Sequence, residues 1–351
     1  MSVLSMIFFV ILSTYVIFKA SYSFDLAASF LTRKMPSGIK GPTINAVASS
    51  LPELLISFLF LFHYNDLEGF SAGYAAIIGS AAFNICLIPC ISALAYFYFN
   101  DKDSIKLDST IIIQDSLFNV LSIITLGLIF YFGQISPINS LVLIILYFIY
   151  IYSVFKFRKT HHPKPYDEVI LKNESILSDL LQLKLFALFA SRVNKFSSVL
   201  VVLISLILIA CSCQLLTFSC EHLSSLYGVN LFYVSFFIAA VASSVPDTIL
   251  SFYDAKKGQF DDAFSNAFGS NIFDICIGLG LPVFIYTLLN GDIFLNHNLK
   301  LGSDLLMISL LLLLFLSVAI GIFFSIGKFN KKKVGFTLLM YILFIFFLLR
   351  L

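Results

Sequence analysis

Two stretches of the 351-residue chain repeat one polar pattern inside apolar surroundings. Residues 46–58 read AVASSLPELLISF and residues 240–252 read AVASSVPDTILSF, at an offset of 194. Further on, GSAAFNIC at 79–86 resembles GSNIFDIC at 269–276, at an offset of 190. On a helix, Ala46, Ser49, Ser50, Glu53 and Ser57 are separated by threes and fours and share one face, as do Ala240, Ser243, Ser244, Asp247 and Ser251. Ser80 and Asn84 lie one turn apart on the segment that follows, and so do Ser270 and Asp274. Pro52 and Pro246 each remove the hydrogen bond to the carbonyl four residues back, which frees the oxygens of Ala48 and Ala242. Carboxylates, an amide oxygen, hydroxyls and carbonyls are hard oxygen donors, suited to Ca²⁺ and Na⁺. No thiolate–imidazole cluster is present to attract Zn²⁺ or Cu²⁺.

The segments that carry these residues are membrane helices. Hydrophobic residues make up 59% of the chain and charged residues 12%, and mean hydropathy is +0.97. A soluble globular protein carries about 25% charged residues, so an ordinary soluble enzyme is excluded. With 40 Phe and 9 Pro, so is a disordered or collagen-like chain. Hydropathy places spans at 3–31, 41–62, 70–99, 110–132, 138–157, 197–220, 229–253, 262–290, 303–326 and 334–350. The N-terminus has no basic region and no small-residue cleavage site, so it reads as a first span and not a removed signal.

The loops test this list. Of the 22 Lys and Arg, 19 fall in the loops after spans 1, 3, 5, 7 and 9. Among them are Arg33, Lys34 and Lys40 after the first span, and Lys328 with Lys331 to Lys333 after the ninth. Only Lys300 and Arg350 fall in the other exposed segments. That alternation is the positive-inside signal. It predicts ten spans in a plasma membrane, odd-numbered loops in the cytoplasm and both termini outside. The one long loop, 158–196, opens with His161-His162-Pro163-Lys164-Pro165 and continues into an amphipathic helix over Ile176–Val193 that lies on the membrane surface. The His pair reads as solvated loop. Asn173-Glu174-Ser175 is a glycosylation sequon on the wrong side to be used. Cys86, Cys90, Cys211, Cys213, Cys220 and Cys276 read as small membrane-buried residues without disulfides. A net charge of +2 gives no reason to expect nucleic acid. The partners to expect are the lipid bilayer and inorganic cations; no cofactor and no protein partner are evident.

Five spans separate the two motif copies, and an odd number turns the second copy upside down. The expected fold is an all-α polytopic membrane protein with ten helices as two inverted five-helix repeats, 1–157 and 197–351, joined by the loop 158–196. Inverted repeats are the signature of secondary transporters, whose site lies near the midplane between the repeats. A shared small-residue packing face would explain the Ala and Ser. It would not explain a carboxylate after Pro in both copies. A carboxylate at the bilayer centre costs roughly 3 kcal/mol on insertion scales, so Glu53, Asp247 and Asp274 are hard to justify as packing.

At these motifs the chain resembles the calcium/cation antiporter superfamily, and within it the sodium/calcium exchangers. The family's repeats carry Gly/Ala-Thr/Ser-Ser-x-Pro-Glu/Asp followed by Gly-Ser-x-x-x-Asn/Asp. Here they read Ala48-Ser49-Ser50-Leu51-Pro52-Glu53 with Gly79-Ser80-Ala81-Ala82-Phe83-Asn84, and Ala242-Ser243-Ser244-Val245-Pro246-Asp247 with Gly269-Ser270-Asn271-Ile272-Phe273-Asp274. The resemblance implies Ca²⁺/Na⁺ exchange by alternating access, with the first and sixth spans sliding against the rest. Glu53 and Asp247 would be the central Ca²⁺ carboxylates, and Asn84 and Asp274 would complete a diamond between them. Ser49, Ser50, Ser80, Ser243, Ser244 and Ser270, with the carbonyls of Ala46 and Ala240, would bind flanking Na⁺. The chain departs from many prokaryotic members in having Asp247 for Glu, and from potassium-independent animal exchangers in having Asp274 for Asn.

Asp274 keeps the countercation open between Na⁺ alone, Na⁺ with K⁺, and Na⁺ with a proton. With all three carboxylates ionised the site carries a formal −3; three Na⁺ neutralise it, whereas one Ca²⁺ leaves −1, relieved by a proton on Asp274 or by K⁺. A Ca²⁺/H⁺ antiporter of the same superfamily would carry Gly-Asn-x-x-Glu on the partner helix, and that Glu is missing here. A channel would not need paired inverted sites. An intramembrane aspartyl protease is the remote alternative: Tyr253-Asp254 resembles half of such a site, but Gly278-Leu279-Gly280 is followed by Leu281 and not Asp. The chain is therefore expected not to be an enzyme.

Overall fold

The computed structural model describes residues 2–33, 41–157, 179, 183–189, 194–295 and 302–351. The His161–Pro165 stretch, the sequon at Asn173, Lys34, Lys40 and Lys300 lie outside the described residues. So does most of the amphipathic segment expected over Ile176–Val193. Its described part includes a short helix, Leu185–Phe189, that buries Leu185 and Phe186 against Ala27 and Val201.

The chain is almost entirely helical. The first repeat comprises α1 (Val3–Leu31), a π-helical turn (Gly41–Asn45), α2 (Ala46–Ser49), α3 (Leu51–Tyr64), α4 (Leu67–Phe99), α5 (Ser109–Tyr131) and α6 (Pro137–Phe157). After α7 (Leu185–Phe189), the second comprises α8 (Lys195–Tyr227), α9 (Leu231–Val234), a π-helical turn (Ser235–Ala239), α10 (Ala240–Ser243) and α11 (Val245–Lys256). It continues with α12 (Phe260–Phe273), a third π-helical turn (Asp274–Leu279), α13 (Gly280–Asn290), α14 (Gly302–Ser325) and α15 (Lys331–Leu348). Helix ends with no water inside a bilayer need their own donors and acceptors. Asp66, Asp108, Asn194 and Asn330 cap α4, α5, α8 and α15 with their side chains. Asn194 and Ser197 form a reciprocal capping box.

Length and composition support eight spanning helices, or nine if the pair Thr43–Ser49 and Leu51–Tyr64, bent by 45°, counts as one span. Among the described residues, helix length and composition thus account for nine of the ten expected spans. The tenth expected span, 334–350, falls on α15. That helix is 18 residues long and opens with Lys331, Lys332 and Lys333, so less apolar length remains than the ~20 residues a span needs.

The packing obeys a pseudo-two-fold. Helices α1 and α8 pack on each other, as do α5 and α14. Helix α6 packs on α13, and its counterpart α15 packs on α4; α11 packs on α4, and its counterpart α3 packs on α13 and the turn before it. Short strands close each face. Ser104–Ile105 (β1) pairs with Phe329–Asn330 (β4), and Gln134–Ile135 (β2) pairs with Ile293–Phe294 (β3). The first pair joins the loops after the third and ninth spans, the second the loops after the fourth and eighth. Asn100 donates to the Ala255 carbonyl at 3.3 Å on the odd-loop face, and Tyr286 donates to the Asn65 carbonyl at 2.7 Å on the even-loop face. Loops of equal parity therefore share a face, and the two strand pairs, equivalent under the repeat, lie at opposite ends.

Candidate cation-binding site

The two motif segments fold alike. In each, a π-helical turn leads into a four-residue helix reading AVAS, then a break at Ser50 or Ser244, then a helix with proline near its start. Extra residues per turn at the π segments open the backbone next to the motif. Pro52 and Pro246 stand in the first turn of a new helix, where a missing N–H costs little. The carbonyls of Ala46 and Ala240 accept from the N–H of Ser50 and Ser244, each at 3.0 Å. Serine hydroxyls lean on the same oxygens: Ser49 at 3.4 Å to Ala46, and Ser243 and Ser244 at 3.1 and 2.8 Å to Ala240.

All twelve candidate residues are without exposed surface, and hydrogen bonds knit the two repeats together. Ser80 donates to Glu53 Oε1 at 3.2 Å and lies 3.5 Å from Asp274 Oδ2. Ser244 of the second repeat donates to Ser80 Oγ at 2.9 Å. Asn84 donates to Asp247 Oδ2 at 3.3 Å and to Ser80 Oγ at 3.4 Å, and Ser270 donates to Asp247 Oδ1 at 2.7 Å. Ser80 and Asn84 of the first repeat thus reach the two carboxylates of the second, and Ser50 Oγ has no hydrogen-bond partner among the described residues.

Gly79 allows the approach. A Cβ there would stand 2.5 Å from the Phe236 carbonyl oxygen and 2.6 Å from Ala240 Cβ. That tight crossing is what brings Ser80 onto Ser244.

Among the described residues, Glu53 Oε2, Asn84 Oδ1 and Asp274 Oδ1 have no hydrogen-bond partner. A buried acceptor left without a donor is costly, whereas a bound cation satisfies several at once. No three His, Cys, Asp or Glu side chains among the described residues close into a metal-holding group. The carboxylates are spaced instead by hydroxyls and an amide, so ion coordination here must draw on neutral oxygens.

Several buried polar residues escaped the sequence reading. Asn271 donates to the Ala81 carbonyl at 3.0 Å, linking α12 to α4. Asn266 donates to Ser251 Oγ at 3.1 Å; it stands one turn before Ser270, so the same four-residue spacing could have found it. Asp115, a fourth carboxylate with no exposed surface among the described residues, accepts from Tyr150 at 2.9 Å and Ser265 at 2.8 Å. Its signal was a lone acid in an apolar span. Asp254, half of the expected protease-like pair, sits near the C-terminal end of α11 with Lys256. All six cysteines are free thiols. Cys211 lies on the outer surface of the spanning helix α8; Cys213, two residues on, faces inward and lies 3.8 Å from the Pro52 carbonyl.

The sequence pattern of the sodium/calcium exchanger protein family matches residues 4–156 and 197–350. A sodium/potassium/calcium exchanger 1 from Gallus gallus is 34% identical over 118 residues, 33% of this chain and 18% of that protein. A sodium/potassium/calcium exchanger 2 from Mus musculus is 39% identical over 85 residues, 24% of this chain and 13% of that protein. The matched stretches thus span less than a fifth of these relatives' length. Among solved structures, the H⁺/Ca²⁺ exchanger CAX superposes with a TM-score of 0.72 at 19% identity, covering 98% of this chain and 82% of that chain. The sodium–calcium exchanger NCX_Mj superposes at 0.61 and 19% identity, covering 98% of both chains. At such identities these two structures establish the fold, and the match over both repeats establishes the family: the chain belongs to the sodium/calcium exchanger protein family.

Proposed function

We propose that this chain is a secondary active antiporter that exchanges Ca²⁺ for Na⁺ across a membrane by alternating access. The observation that carries the reading is the single buried network in which Ser80 and Asn84 of the first repeat reach Asp274 and Asp247 of the second, while Ser244 of the second donates to Ser80 beside Glu53. Glu53 and Asp247 serve as the central Ca²⁺ ligands, with Asn84 and Asp274 between them. The six serines and the carbonyls of Ala46 and Ala240 supply Na⁺ ligands once their hydroxyls turn away from those carbonyls. Helices α1 and α8 are the sliding pair. No chemistry beyond ion exchange is needed, and no catalytic residue is assigned.

The protein sits in the plasma membrane with the odd-numbered loops in the cytoplasm, both termini outside and α15 as a tenth span. The basic residues support this side assignment, and α15 takes the place against α4 that α6 takes against α13. The domain division is 1–157, the cytoplasmic segment 158–196 and 197–351. A cysteine placed near Lys332 should label only from the cytoplasmic face and one near Leu226 only from outside; the reverse pattern contradicts the orientation.

A second reading, exchange that also requires K⁺, is favoured by Asp274 and by relatives named sodium/potassium/calcium exchangers. Ca²⁺ flux into proteoliposomes, with Na⁺, K⁺ and H⁺ gradients imposed in turn, separates the readings. Na⁺-driven flux indifferent to K⁺ supports the first. Flux that needs both ions supports the second, and flux driven by H⁺ without Na⁺ contradicts both.

A further inference from the structure

The two repeats differ one turn toward the odd-loop face from Asp247. There Asn266 on α12 faces Ser251 on α11, both fully buried. The Asn266 amide donates to Ser251 Oγ at 3.1 Å and lies within hydrogen-bonding reach of the Asp247 carboxylate. Its other end, Oδ1, has no hydrogen-bond partner among the described residues. At the equivalent places in the first repeat the sequence has Ser57 and Ala76. Helices α3 and α4 close on each other nearby, where a Cβ on Gly73 would meet Ser57 Oγ at 3.1 Å. The even-loop face therefore has no amide at the corresponding depth.

We propose that the Asn266 amide turns over to present Oδ1 where Nδ2 now stands, and that Oδ1, Ser251 Oγ and the Asp247 carboxylate then form a monovalent-cation subsite on the odd-loop side of the central carboxylates, occupied by Na⁺ entering or leaving on that face only. The inference rests on the antiport reading and adds residues and a sidedness to it. Burying an acceptor without a donor is unfavourable, and a cation is the partner that an amide oxygen, a hydroxyl and a carboxylate can share. One carboxylate with two neutral oxygens suits a single positive charge. Ca²⁺ draws on six to eight oxygens, carboxylates prominent among them, and is better served by the central site. Asn266 lies one turn from Ser270, which donates to the same carboxylate at 2.7 Å, so the subsite leads directly into the central one.

The test is Ca²⁺ flux in proteoliposomes of known orientation, with Na⁺ titrated separately on each face, for wild type, Asn266→Ala and Ser251→Ala. Asn266→Ala installs the residue that the first repeat carries. Each variant should raise the half-saturating Na⁺ on the odd-loop face by about fivefold, the worth of one modest polar contact, and leave that on the even-loop face within about twofold. Ser251→Ala removes only a hydroxyl and keeps the test open if Asn266→Ala folds poorly. Equal shifts on both faces, or no shift in a variant that transports, overturn the subsite while leaving antiport intact. A wild type without Na⁺-driven Ca²⁺ flux overturns the antiport reading and the subsite together.

Discussion

The two repeats share a plan and differ where the ion chemistry is decided. In the first, the motif helix is bent by 45° between Thr43–Ser49 and Leu51–Tyr64, and Asn84 stands within the long regular helix Leu67–Phe99. In the second, Leu231–Lys256 counts as one span, and the counterpart of Asn84, Asp274, opens a π-helical turn. Glu53 accepts from Ser80, and its counterpart Asp247, one methylene shorter, from Ser270 and Asn84. The repeats have thus kept the polar scaffold and divided the charge unequally, with one acid on the first half and two on the second. Because the halves are inverted, this inequality gives the site a direction that a symmetric pair would lack.

The largest effect should come from removing what the halves share. Glu53→Gln and Asp247→Asn should each reduce Ca²⁺ flux at least about a hundredfold, since removing one partner from a buried charge set costs roughly 3–5 kcal/mol. Both proteins should stay folded and monodisperse in detergent. Near-normal exchange by either variant would remove that residue from the ion path.

A smaller effect should follow from making the halves alike. Asp274→Asn copies Asn84 into the second repeat and should still bind Ca²⁺. If Asp274 takes a proton when Ca²⁺ is bound, the variant's flux loses the pH dependence of the wild type and ignores K⁺. If K⁺ balances the charge, wild-type flux requires K⁺ and the variant's does not. A wild type that needs no K⁺, with an unchanged pH profile in the variant, would leave Asp274 a structural role only.

The smallest effect concerns the crossing itself. Gly79→Ala forces a Cβ against the Phe236 carbonyl oxygen and Ala240. It should cost about 1–3 kcal/mol of stability, as overpacking does, read as a lowered unfolding temperature in detergent. Gly335→Ala, on α15 with open space around the added Cβ, should be neutral. Equal behaviour of the two would mean that the Ser80–Ser244 contact does not depend on Gly79.

Most element positions were legible because apolar length and basic loops are local signals. The first span, expected at 3–31, is Val3–Leu31, and the third, expected at 70–99, is Leu67–Phe99. The expected last span, 334–350, falls on α15, whose first turn carries three lysines. The prolines were legible, but not the break two residues before them, at Ser50 and Ser244, where each chain restarts a helix in which proline fits. Contacts such as Ser80 with Ser244, or Asn84 with Asp247, join residues 164 and 163 apart in sequence. No spacing rule reaches that far; only the closure of the inverted halves brings them together. Asn266 escaped because its counterpart in the first repeat is Ala76, and Asp115 because it lies outside both motif segments.

The central claim is that two half-sites make one cation site, and equilibrium ⁴⁵Ca²⁺ binding to the detergent-solubilised chain in the absence of Na⁺ tests it most directly. One Ca²⁺ per chain should bind, Na⁺ should compete for it, and either Glu53→Gln or Asp247→Asn alone should abolish binding. Two Ca²⁺ per chain, each lost with only one of the two substitutions, would mean that the repeats carry independent sites and would contradict the account.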